Sequence, residues 1–307
     1  KFKKYGRLSG LNSQKLKAGA RVDADEYDKT SAEDFVLWKA TKDGEPSWKA
    51  PFGKGRPGWH IECSAMSMKY LGNSFDIHAG AVDLIFPHHE NEIAQSEGAA
   101  GKPFVKYFIE GEHLSVNGEK MSKSLGNIFN LRDLEAKKFN PLAFRYLVLT
   151  AHYRSKLNFT WESLKAAQNA LDKLRNLVVR LKHLKSDFEI PRSRTSEAGL
   201  VVKFKIKFLS HINNDMEMPS AVALLWEVVK SEKLSPKTKY YLITDFDKVL
   251  GLNLGKIKTD KIPSEVLKLT KEREQYRQEK NFAKSDELRK KVESIGWLID
   301  DSPSGPK

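Results

Sequence analysis

The sequence predicts an α/β unit followed by an all-α helical bundle. Between residues 61 and 150 short apolar runs that read as strands alternate with helical stretches, the pattern of a parallel sheet. Beyond Trp161 nearly every segment repeats its apolar residues at the helical period. The length, 307 residues, allows about two domains of roughly 100–200 residues. With 40% hydrophobic and 30% charged residues the chain fits a soluble globular protein and not a disordered one. It holds no stretch of about 18 uncharged apolar residues, so no membrane span is expected, and its first residues lack the apolar run of a secretory signal.

Residues 1–58 are polar and broken by Gly and Pro, with one apolar patch at Phe35–Trp38. The run PFGKGRPGWH, residues 51–60, has three Gly and two Pro in ten positions and is expected to be loop. HIECSAMSMKYLG reads as a helix stopped at Gly72, and FDIHAG as a short buried strand. FPHHENEIAQSEGAAG reads as a second helix, and FVKYFIEGEHLSV as a strand region ending in a turn at Asn117–Gly118. Pro141 sits where a helix begins. From there the stripe Ala166, Ala170, Leu171, Leu174, Leu177, Val178 and Leu181 marks a long helix. Helical stretches near 197–212, 219–232 and 236–250, with breaks at Pro191 and Pro219, complete an antiparallel bundle. A Lys/Gly/Pro linker at 255–263 leads to a helical hairpin broken near Asn281 and ended by Gly296.

The 53 Lys and Arg against 40 Asp and Glu give a net charge of +13. Residues 1–150 hold 22 basic and 19 acidic side chains, residues 151–307 hold 31 and 21, so the second half carries most of the excess. That imbalance fits a polyanion partner, nucleic acid first, and equally a well-solvated Lys-rich surface. The single cysteine rules out an intrachain disulfide and suits the reducing cytoplasm.

Three constellations bear chemistry. His88 and Glu92, four apart, share one helix face, and with Cys63 they offer imidazole, carboxylate and thiolate, the ordinary ligands of zinc. The same spacing also fits a buried free cysteine beside two surface residues. A zinc-protease motif is excluded, because His89–Glu90 would need a histidine where Ile93 stands. The second constellation is EKMSKSLGN, residues 119–127. Its Lys120 and Lys123, on a loop bracketed by Gly118 and Gly126, can neutralise a triphosphate and close on developing pyrophosphate charge; a solvated Lys-Ser loop has the same composition. The third is Trp59 and His78 near the proposed metal, each of which also fits ordinary packing.

Taken together, GRPGWHIECSAM (55–66), FDIHAGAVDLIFPHHENEIAQSE (75–97) and KMSKSLGN (120–127) resemble, in order and spacing, the signature segments of the cysteinyl-tRNA synthetases, a family of class I aminoacyl-tRNA synthetases. The resemblance extends over the whole chain through LKAGARVD, DFVLWKATKDGEPSW (34–48), HYRSKLNFT (152–160) and SIGWLIDDSPSGPK (294–307). It implies the second half of a Rossmann-type catalytic domain. Residues 1–58 would precede that half, 59–150 would carry the zinc site and the lysine loop, 151–254 a tRNA-binding bundle, and 255–307 a linker and terminal hairpin. It implies one zinc on Cys63, His88 and Glu92, a cysteine pocket lined by Trp59 and His78, and Asp83 on the adenosine ribose. It further implies ATP on Lys123 with Lys120 beside it, and Mg2+ accompanying ATP.

The implied reaction is the formation of cysteinyl-adenylate and transfer of its cysteinyl group to tRNA(Cys), in the cytoplasm; the oligomeric state is open, with a monomer favoured. Zinc fits the selectivity problem. An apolar pocket separates near-isosteres by only ~1–3 kcal/mol, whereas a zinc with an open position prefers thiolate to hydroxyl. No editing domain is then expected.

The sequence departs from the family in lacking the half with the HIGH-type motif and the upstream cysteine ligand. It also has Ala79 and Ala81 around Gly80 in a loop usually richer in glycine. These departures lead us to expect an N-terminally truncated chain, short by about one domain's worth, on the order of a hundred residues, and inactive alone. The rival readings are a cysteine ligase acting on an amino-sugar, a non-catalytic tRNA-binding paralogue, and a plain structural zinc module.

Overall fold

The computed structural model describes residues 5–10, 34–183, 196–257, 263–297, 299, 301–302 and 305–306. LKAGARVD and Pro191 lie outside the described residues. The chain divides into two compact units, residues 1–252 and 253–307.

In the first unit, β1 (Trp38–Ala40), β2 (Trp48–Ala50) and β3 (Gly53–Pro57) form an antiparallel sheet with β3 in the centre. This corrects the loop expected over 51–60. Glycine is what lets β3 occupy the centre. A Cβ on Gly55 would stand 2.2 Å from the Lys39 carbonyl oxygen and 2.5 Å from the Trp38 indole nitrogen, so the indole crosses where any side chain would block it. The helix α1 (Trp59–Leu71) starts directly behind Gly58 and stops at Gly72, whose φ of +88° is glycine's territory.

β4 (Phe75–Ala81) pairs in parallel with β5 (Val105–Gly111), in the register Gly80 to Glu110. The strand exists as expected, but it is not buried. Ile77 is 57% and Tyr107, its register partner on β5, 68% exposed, while Phe75 and Val105 at the strand starts pack with Ile93 and Phe104. The helix expected from Phe86 onward is split. Ile85–His89 form a π-helical turn interrupted by an extended Phe86, and the regular helix α2 (Glu90–Ala100) follows, ended by left-handed Gly101.

The start of α2 is tied to the N-terminal segment by one buried carboxylate. Glu90, fully buried, accepts from the Gly6, Leu8 and Ser9 main-chain N–H groups at 3.0, 2.7 and 2.7 Å and from the Ser9 hydroxyl at 3.0 Å. Tyr5 adds a hydroxyl hydrogen bond to Asn91.

β6 (Leu114–Val116) turns through Asn117 and Gly118, both at positive φ, into β7 (Glu119–Lys120), and also pairs in parallel with β8 (Leu157–Phe159). Between β7 and β8 lie α3 (Leu131–Ala136), with an Asn130–Asp133 capping box, and α4 (Pro141–Leu149), capped by Asn140 with Pro141 at its first position.

The bundle consists of α5 (Trp161–His183), α6 (Ser196–Asn213), α7 (Met218–Lys230) and α8 (Pro236–Leu250). The buried stripe of α5 runs through Leu164, Ala167, Leu171, Leu174 and Val178, so Ala167 faces the core and Ala166, expected there, faces solvent. α6 and α8 run side by side in the same direction. Glu197 in the first turn of α6 accepts from the main-chain N–H of Ser235, the cap of α8; further along, Lys205 meets Asp245 at 3.0 Å and Phe208 stacks on Phe246. α7 returns between them, with Lys207 of α6 pairing Glu227 and its Trp226 donating to the Tyr146 hydroxyl of α4. No described helix is long and apolar enough to cross a membrane.

The second unit is a hairpin of α9 (Ser264–Gln278) and α10 (Phe282–Ser294), with Asn281 capping α10 and Gly296 at φ +86° after it. Two short antiparallel strands follow, β9 (Asp301–Ser302) and β10 (Gly305–Pro306).

Glu90→Ala strands three main-chain donors away from water and is expected to lower the unfolding free energy by on the order of 3 kcal/mol. Glu90→Gln, which keeps an acceptor oxygen, loses less. Urea unfolding of the two variants checks the order; equal losses would mean that the hydrogen bonds are not what Glu90 contributes.

Candidate metal and nucleotide site

Three elements converge on one buried carboxylate. The first turns of α1 carry Trp59, His60 and Cys63, with His60 and Cys63 one turn apart on a shared face. β4 carries His78. The turn into α2 carries His88 and His89, and α2 itself carries Glu92. Ser64 of α1 fixes the two helices to each other through the Glu92 carbonyl at 3.5 Å and the Gln95 side chain at 3.3 Å.

The ligand atoms of Cys63, His88 and Glu92 all lie within 4.8 Å of one another. His78, His89 and Glu92 form a second such group around the same carboxylate. Glu92 is completely buried. Its Oε2 lies 3.1 Å from His78 Nε2 and 3.6 Å from His88 Nε2, while its Oε1 has no hydrogen-bond partner among the described residues.

His88 is oriented from behind. Its Nδ1 is 2.8 Å from His60 Nδ1, and the Trp59 ring covers it at a centroid distance of 4.5 Å, so its Nε2 points at Glu92. Burial holds His88 below the usual histidine range, against the pull of Glu92 and with help from His89 and His78. A neutral imidazole is the form that ligates a metal. Burial pushes the Cys63 thiol up, and the Glu92 and Glu62 carboxylates push it further. A cation between these groups reverses the sign for the thiol, since it favours thiolate. A partnerless buried carboxylate oxygen, a neutral imidazole and a thiol at this separation suit a divalent, thiophilic ion.

The loop from β7 to α3 is shaped by a residue that motif reading passed over. Asn127 accepts from the Ser122 N–H at 2.8 Å and donates to the Lys120 carbonyl at 3.1 Å; Gly126, at φ +62°, donates to the Lys123 carbonyl. The backbone is therefore set, while the Lys120 and Lys123 side chains are exposed and form no ion pair among the described residues. Asp83 is exposed in the turn after β4.

Of the residues expected from sequence, the structure gathers Trp59, Cys63, His78, His88 and Glu92 into one cluster. Lys120, Lys123 and Asp83 are exposed and belong to neither ligand group. Sequence reasoning missed His60, His89 and Glu110. For His60 a signal existed, its helical spacing from Cys63; for His89 it was the three-residue step to Glu92. Glu110 had none, because only strand register brings it near.

The model of the tRNA synthetases class I (C) catalytic domain matches residues 1–169. Curated relatives named cysteine–tRNA ligase match throughout. The Chlamydia felis protein is 46% identical over 319 residues, all of this chain and 67% of the relative. The Brachyspira hyodysenteriae protein is 44% identical over 325 residues, again all of this chain and 68% of the relative. The Caldicellulosiruptor saccharolyticus protein is 42% identical over 317 residues, with the same shares. The chain thus spans about two thirds of the length of these relatives. Among solved structures, the LeuRS of Agrobacterium radiobacter K84 in a ternary complex with tRNA and LeuAMS is similar in fold. Its TM-score is 0.51 at 16% identity, covering 69% of this chain and 34% of that one.

In the metal-free chain, Cys63 is expected to react with iodoacetamide with a pH midpoint above that of an unfolded cysteine peptide, ~8.5. Cys63 is the sole cysteine, so the whole-protein alkylation rate against pH reads it directly. A midpoint below the peptide's would contradict the desolvated, anion-facing environment.

Proposed function

The chain belongs to the class I cysteine–tRNA ligase family, and from that premise we propose that it carries the part of the enzyme that selects cysteine through a zinc ion. The observation that carries the reading is the Cys63, His88 and Glu92 group, with ligand atoms within 4.8 Å of one another and a buried Glu92 oxygen left unpartnered. Zinc held there supplies a Lewis-acidic position that takes a thiolate sulfur in strong preference to a hydroxyl oxygen.

The chain's own residues divide the remaining work. Trp59, exposed and with its ring tilted against His88, and His78, hydrogen-bonded to Glu92, form walls of the cysteine pocket. His60 keeps His88 turned toward that pocket. Asp83 binds the adenosine ribose. In the activation step the cysteine carboxylate attacks the α-phosphate of ATP, which travels with Mg2+, and pyrophosphate leaves. Lys120 and Lys123 neutralise the charge that builds on the departing phosphates, on a backbone already shaped by Asn127. Transfer of the cysteinyl group to tRNA(Cys) follows, with the basic helical part of the chain as the tRNA-binding surface.

An amino-sugar ligase would share the zinc ligands and the lysine loop. The excess of 31 basic over 21 acidic side chains in residues 151–307 favours tRNA as the acceptor. Binding of tRNA(Cys) is therefore expected to weaken steeply with salt, with a log–log slope near −0.7 to −0.9 for each phosphate neutralised. A flat salt response, or no binding, would favour the small-molecule acceptor.

The zinc reading is tested by ATP–pyrophosphate exchange in the full-length enzyme together with zinc content. Cys63→Ser is expected to lower bound zinc and the preference for cysteine over serine together. Full zinc content with cysteine preference intact in that variant contradicts the assignment. Lys123→Ala, in the same assay, is expected to lower the exchange rate while leaving zinc content unchanged.

A further inference from the structure

His89 sits in a seat made by two residues that are partners across the parallel β4–β5 pair. Gly80 and Glu110 share one register position. Gly80 supplies room: a Cβ there would come within 2.5 Å of His89 Cε1 and 2.8 Å of its Nε2, closer than real side chains approach. Glu110 supplies an acceptor: its Oε1 is 2.7 Å from His89 Nδ1, and a carboxylate only accepts, so the ring nitrogen donates. The ring so held is 1% exposed and turns its Nε2 toward Glu92 Oε2 at 3.9 Å. With His78 and His88, it makes a wall of three imidazoles around that one oxygen, and Oε1 is the oxygen left over.

We propose that Glu110 is a positioning residue of the cation site. Acting through His89, it fixes the wall against which Glu92 stands, so that Glu92 offers Oε1 to the ion in one orientation. The inference rests on the zinc reading above and adds to it a residue that touches neither ion nor substrate. Partners that orient a metal site from behind in this way typically contribute 10–100-fold in affinity.

The experiment is chelator competition for zinc on the chain as it stands, comparing the parent, Glu110→Ala and Glu110→Gln, with the melting temperature of each metal-free form. Cobalt(II) replaces zinc in a parallel series, so that the visible bands report ligand geometry. Glu110→Ala is expected to weaken zinc by about 10–100-fold and to shift the cobalt bands. Glu110→Gln keeps an acceptor for Nδ1–H and is expected to stay near the parent in both. Gly80→Ala presses on the same ring from the other side and is expected to weaken zinc as Glu110→Ala does, which keeps the question answerable should Glu110→Ala not fold.

Parent-like affinity and cobalt bands in both Glu110→Ala and Gly80→Ala overturn the proposal while leaving the zinc reading standing. So does a loss confined to the metal-free melting temperature, which is what a merely structural Glu110 gives. A parent chain that binds no zinc overturns both.

Discussion

A buried carboxylate with one oxygen unprovided for is the constraint on which this site depends. An ionised group removed from water costs several kcal/mol unless charge or hydrogen bonds offset it. Glu92 is fully buried and receives compensation on Oε2 alone. The thiol and imidazole that flank it respond to the same burial, the first raised and the second lowered. A cation held there would satisfy all three at once: it would take the open oxygen, meet an imidazole biased to the neutral form, and favour loss of the thiol proton. Metal binding at such a site is coupled to proton release.

Glu90 shows that burial alone does not make a site. It stands two residues from Glu92, on the same helix and equally buried. At 100° per residue the two side chains leave the helix in opposed directions. Glu90 meets three main-chain N–H groups and a hydroxyl and is saturated, so its role is to hold the segment around Gly6–Ser9 onto α2. Glu92 meets three imidazoles and remains open. The donors at each oxygen separate these two carboxylates: among the described residues both oxygens of Glu90 are met, one oxygen of Glu92 is not.

The lysine loop illustrates a complementary economy. Asn127 and Gly126 fix its backbone by hydrogen bonds to Ser122, Lys120 and Lys123, so the backbone is set without the exposed lysine side chains taking part. The bundle behind it is conventional in its packing. α6 and α8 run alongside each other and α7 packs against both, tied by Lys205–Asp245 and Lys207–Glu227.

The sequence by itself determined the parts whose signal is local. Helix starts and stops at Gly72, Pro141, Asn281 and Gly296, the helical period of α5, the turn at Asn117–Gly118 and the motif words around Cys63, His88 and Lys123 are all readable within a few residues. Where it misled, a distant residue decided. β3 is a central strand because the Trp38 indole needs the space above Gly55, and β4 is half exposed because only β5 pairs with it among the described residues. The tertiary structure alone placed Cys63 against Glu92, turned His88 by means of His60, and set Glu110 opposite Gly80 behind His89. Those contacts depend on helix packing and strand register, which relate residues far apart in the chain and leave no local pattern for a sequence to display.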